Sequence, residues 1–139
     1  MNKSLKAAIL GGIIGGVIFG IMMQMMGMIP MIAMMAGSES LVVGWLIHMI
    51  ISIIFAGGFV IFTKIVRNPI IATITYGVIL WVIGPLLIMP MMLGMGSMIS
   101  HAFAPDQMMS LLTHIFFTVI LAIVNKVMKG NTINTQVSA

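Results

Sequence analysis

The chain has 139 residues, 61% of them hydrophobic and 6% charged, with a formal net charge of +4 and no cysteine. A soluble domain carries roughly 25% charged residues, so the composition excludes a water-soluble globule. The lack of cysteine excludes disulfides, thiolate metal sites, iron–sulfur clusters and thiol catalysis. The length suits one domain of four spans of ~20 residues with short loops.

The first span is predicted over 7–29. Its only strongly polar residue is Gln24, and glycines recur at Gly12, Gly16 and Gly20, with Gly11 and Gly15 beside them. Four-residue spacing places them on one helix face. Small-residue faces let two helix backbones approach closely in lipid. Gln24 lies one step further along that face and is expected to point into the bundle. Lys3 and Lys6 before this run, with Ala36-Gly37-Ser38 after it, have the outline of a signal peptide. The run is longer than a usual signal core and has a counterpart later in the chain, so it is read as a retained span.

Pro30 follows the first helix, and 31–40 reads as a short loop holding Glu39, with Ser38 or Ser40 as the next cap. The second helix is predicted over 41–62, with Gly44, His48, Ser52 and Ala56 as a small and polar stripe. Lys64 and Arg67 end it. Asn68-Pro69 reads as cap and first-turn proline of a third helix over 70–89. Pro85 inside that helix predicts a kink. Tyr76 and Trp81 lie too deep for an interfacial belt, so their polar atoms should find partners inside the bundle.

Pro90 ends the third helix. Residues 91–105 form the longest loop, apolar and glycine-containing, expected along the membrane surface. Asp106 is expected to cap the fourth helix, 108–124, which Lys126 and Lys129 close. Residues 1–129 then make a single transmembrane domain, and 130–139 a polar tail expected to be disordered. All six basic residues fall at one end of the spans, and the two acids, Glu39 and Asp106, at the other. The positive-inside rule then places both termini in the cytoplasm of a multi-pass cell-membrane protein.

Residues 44–56, GWLIHMIISIIFA, align without gaps with 110–122, SLLTHIFFTVILA, at an offset of 110 − 44 = 66. His48 meets His114 and Ser52 meets Thr118. Helices 1 and 3 match more loosely, Pro30 against Pro90. The architecture expected is all-α: a polytopic four-helix bundle of two tandem two-helix repeats about a pseudo-two-fold axis along the membrane normal. The two histidines would then share one depth, about 10 Å from the outer helix ends.

Ionisable groups inside a membrane commonly mark function, although a neutral histidine also serves as a hydrogen-bonding link between helices. Gln24, His48, Ser52, His114 and Thr118 are the candidate lining of a polar layer that binds or passes a small ligand or ion. A second reading makes His48 and His114 axial ligands of a haem b. A third is soft-metal handling. Of 18 methionines, all but Met1 and Met128 lie in the acidic half or its loops. Thioethers suit copper(I), so Met22, Met26 and His101 join the two histidines as candidate ligands, against the alternative that methionine fills irregular gaps. A purely structural accessory subunit is the remaining class.

No enzyme constellation is present. GGIIGGVIFG is membrane helix rather than a phosphate cradle, because no strand or polar turn precedes it. The GWLIH and serine pattern, followed by YGVILWVIGPLLIMPMMLG, resembles small uncharacterised four-span bacterial membrane proteins. The resemblance implies the same bundle and no particular activity. The partners expected are the lipid bilayer and either further copies of the chain or a larger membrane complex, and not nucleic acid.

Overall fold

Asn2 opens the first helix, its side-chain oxygen accepting from the amide of Ser4 at 3.0 Å. In the computed structural model, which describes residues 2–137 and the side chains of 2–130, α1 spans Lys3–Met25. It ends sooner than the apolar run does, because Gly27 turns the chain with a φ of 73°. A separate short helix, α2, follows at Met28–Met35. Pro30 sits in its first turn, where a missing N–H goes unnoticed. Half of the loop expected at 31–40 is therefore helix.

Helix α3 spans Leu41–Ile65. Ser40 holds the cap position without a side-chain capping bond, while Ser38 Oγ accepts from the Ser40 amide at 3.1 Å. Helix α4, Pro69–Trp81, begins as expected: Asn68 Oδ1 accepts from the amides of Ile70 and Ile71 at 3.0 and 3.1 Å.

Around Pro85, where a kink is expected, the chain runs as a stretch of wider π-helical turns, Val82–Ile88, leading into α5, Met89–Met92. Proline cannot donate to the carbonyl four residues back, and wider turns avoid that demand. The Met89 amide donates to Gly84, five residues back. The Leu86 carbonyl faces the same problem at Pro90, and the loop amide of Met98 donates to it at 2.8 Å. A 3₁₀ turn at Ile99–His101 precedes α6, Pro105–Val137. Asp106 lies in the first turn of α6 rather than capping it, where the helix dipole favours a carboxylate. Helix α6 runs on past Gly130 to Val137, within the segment 130–139 expected to be disordered, whose last two residues lie outside the described ones.

No strand occurs among the described residues. Four helical stretches, Lys3–Met25, Leu41–Ile65, Pro69–Met92 and Pro105–Gly130, are long and apolar enough to cross a bilayer. Their outward faces are aliphatic: Ile54, Ile61 and Leu112 are each about 60% exposed, which suits a lipid solvent and not water.

Helix α1 sits between α3 and α6, α4 packs on α6, and α2 lies on α3. The paired glycines of α1 explain its place. Gly12, Gly16 and Gly20 face α3, so that a Cβ on Gly12 would stand 2.6 Å from Ile53 Cα. Gly11 and Gly15 face Leu121 and Phe117 of α6. Around this contact Phe19, Phe59, Tyr76, Phe117 and Leu121 form the main buried cluster. Helices α3 and α4 touch only sparsely. The two halves are thus packed unequally, since a strict two-fold would join α3 to α4 as closely as α1 to α6.

Candidate functional site

The stripe Gly44, His48, Ser52 and Ala56 forms the buried face of α3, as its spacing predicts. Gly16 on α1 allows the approach: a Cβ there would come within 2.9 Å of Ser52 Cβ. His48 is 3% exposed, and its Nε2 lies 2.9 Å from the Gly16 carbonyl oxygen. A carbonyl only accepts, so Nε2 carries the proton and donates. Ser52 Oγ stands 3.5 Å from the same nitrogen, too far to add much.

His114, 8% exposed, uses its other nitrogen. Nδ1 donates to the carbonyl of Ser110 on its own helix at 2.7 Å. The two imidazoles are therefore opposite tautomers, one linking two helices and one closing on its own. Among the described residues His48 Nδ1 and His114 Nε2 make no hydrogen bond.

Phe19 of α1 joins the two rings. Its centroid lies 5.6 Å from that of His48 and, edge-on, 5.1 Å from that of His114. Phe117 stacks on Phe19 at 5.4 Å, and Trp45 meets His48 edge-on at 5.9 Å. The layer is thus aromatic as well as polar. Sequence reading missed Phe19 and Trp45. Trp45 is three residues before His48 on the same helix face, a spacing that puts side chains together. Phe19 follows Gly15 by four residues and belongs to the α6-facing side of α1.

The remaining candidates divide. Thr118 is buried, its hydroxyl within 2.9 Å of the Thr73 carbonyl on α4 and 2.8 Å of Ile115 on its own helix. Gly77 makes room for it, since a Cβ there would stand 2.9 Å from Thr118 Oγ1. Gln24 does not join the interior: it is exposed, and Trp45 Nε1 donates to its Oε1. The reason is the helical step. Gly20 already lies against Trp45 and His48, and one turn later the face has passed beyond the buried layer to its rim. There Gln24, Trp45 and Met49 help line an open cleft of about 410 Å³.

The candidate metal ligands lie in different settings. His101 lies exposed on the 3₁₀ turn with Nδ1 3.0 Å from Ser100 Oγ. Among the described residues no three histidine or carboxylate side chains converge. Met22 is half-buried and Met26 exposed at the end of α1. For a haem, iron would have to reach one nitrogen of each imidazole, but Phe19 lies against both rings and the Nε2 of His48 is spent on Gly16. Tyr76 and Trp81 do find interior partners, donating to the carbonyls of Phe55 at 2.8 Å and Gln107 at 3.0 Å.

Comparison with protein-family models, curated proteins and solved structures gives no match to this chain.

Proposed function

We propose that this protein is a non-enzymatic multi-pass membrane protein serving as an accessory subunit, with the histidine layer as an internal clasp. One observation carries this reading: the polar side chains of the layer donate to main-chain carbonyls. His48 closes on Gly16, His114 on Ser110, and Thr118 on Thr73 and Ile115. His48 and Thr118 so committed tie helices together, while His114 closes on its own helix, and none of these donors is left to line a water path. The exposed amide of Gln24 on an apolar flank is the kind of group that pairs with another helix in lipid, which supports a partner chain or a second copy there.

The pseudo-repeat belongs to the same proposal. Ser52 against Gly16 and Thr118 against Gly77 are equivalent small-residue contacts in two hairpins inserted the same way up. The clustering of every Lys and Arg at one end supports cytoplasmic termini. Because the chain has no cysteine, single cysteines report orientation directly. Ser38→Cys should react with an impermeant maleimide in intact cells, and Asn2→Cys only after permeabilisation.

A second reading keeps ligand or ion binding. It is favoured by the unbonded nitrogens, His48 Nδ1 and His114 Nε2, each an acceptor inside a low-dielectric layer. Proteoliposomes separate the two. The clasp reading expects no proton or cation flux above protein-free vesicles, with His48 variants losing stability only. Flux that disappears in His48→Leu and His114→Leu would replace it with the ligand reading.

A further inference from the structure

At the basic end, far from the histidines, a groove of about 800 Å³ opens between the end of α3, the start of α4 and α6. Ile70, Val119 and Ile123 contribute apolar walls, and Arg67, Lys126 and Lys129 line it as exposed cations. The chain's only acidic side chains, Glu39 and Asp106, precede α3 and open α6. They therefore lie at the other end of the bundle and leave these cations without a carboxylate side chain nearby.

Two groove hydroxyls are satisfied within their own helices: Thr63 donates to Val60 at 2.9 Å and Thr73 to Pro69 at 2.7 Å. Asn125 differs. It is buried, and its Oδ1 has no hydrogen-bond partner among the described residues. Buried polar atoms are nearly always paired, so this oxygen calls for a donor that the described residues do not supply.

We propose that this groove binds one anionic phospholipid with a hydroxylated headgroup, of the phosphatidylglycerol type. The acyl chain lies along Ile70, Val119 and Ile123, the phosphate sits among Arg67, Lys126 and Lys129, and a headgroup hydroxyl donates to Asn125. Basic pockets between spans on the cytoplasmic side suit this chemistry. Zwitterionic lipid cancels its own phosphate charge, and a second copy of this chain would bring more cations to a cationic mouth.

The test uses the full chain in phosphatidylcholine nanodiscs, titrated with phosphatidylglycerol and followed by native mass spectrometry and thermal midpoint. One phosphatidylglycerol retained per chain, with a raised midpoint, is expected. Replacing Arg67, Lys126 and Lys129 by glutamine should weaken retention on the order of 100-fold. Ile123→Trp should block it with all charges kept, and covers the case in which the triple variant does not fold. Equal retention of phosphatidylcholine, full effect from glycerol phosphate alone, unchanged retention in Ile123→Trp, or a dimer closing over the groove would each overturn the proposal.

Discussion

The imidazole of His48 crosses the α1–α3 interface to donate through Nε2 to the main-chain carbonyl of Gly16, 2.9 Å away. His114 spends its N–H inside its own helix. Replacement by leucine keeps most of the volume and removes the donor in each case. His48→Leu is expected to lower stability in micelles by about 1–2 kcal/mol, the range of an interhelical hydrogen bond in lipid. His114→Leu should lose clearly less. Denaturation in mixed micelles ranks the two, and equal losses would mean that the cross-helix bond does not matter.

Phe19 touches both histidines and Phe117. Phe19→Ala should leave a cavity among the rings and cost about 3–5 kcal/mol. It should also expose the imidazoles. Diethyl pyrocarbonate, which modifies neutral imidazole, is expected to label His101 alone in the parent protein and all three histidines in Phe19→Ala. Mass spectrometry of the peptides gives the answer.

The glycines of the spans are not equivalent. A Cβ on Gly12 meets the backbone of Ile53 at 2.6 Å, whereas a Cβ on Gly57 meets nothing within 4 Å. Gly12→Ala must push α1 from α3 and is expected to destabilise by about 1–3 kcal/mol. Gly57→Ala should stabilise by up to ~1 kcal/mol through helix propensity alone. Opposite signs in thermal midpoint are the expected result.

Thr118 ties α6 to α4 through the carbonyl of Thr73 at 2.9 Å. Thr118→Val keeps the shape and deletes the hydroxyl, with an expected loss of about 1 kcal/mol. The histidine layer should be untouched, so the diethyl pyrocarbonate pattern of this variant should match the parent.

Most of the bundle was legible in the sequence because lipid imposes strong rules. Apolar runs gave the four spans, and the four-residue stripe through His48 gave the buried face of α3. Asn68-Pro69 gave the start of α4. Positive-φ glycines and backbone substitution were harder to read. Gly27 cuts the first run in two, which hydropathy alone does not reveal. Pro85 predicts a disturbance but not its form, since a kink and wide turns both remove the same lost bond. Gln24 was misplaced because a four-residue step drifts around the helix axis. The roles of Phe19 and Trp45 depend on which neighbour each helix face meets, and that is a tertiary fact.

The doubled glycines of α1 carry one more implication. Each pair, Gly11-Gly12 and Gly15-Gly16, gives one member to each neighbour, so a swivel of one residue would drive Ile13 or Val17 into a space sized for hydrogen. This helix behaves as a keyed shaft, unable to rotate or slide without jamming on both sides. Motion in the assembly, if a partner demands it, has the sparsely joined seam between α3 and α4 as its line of give.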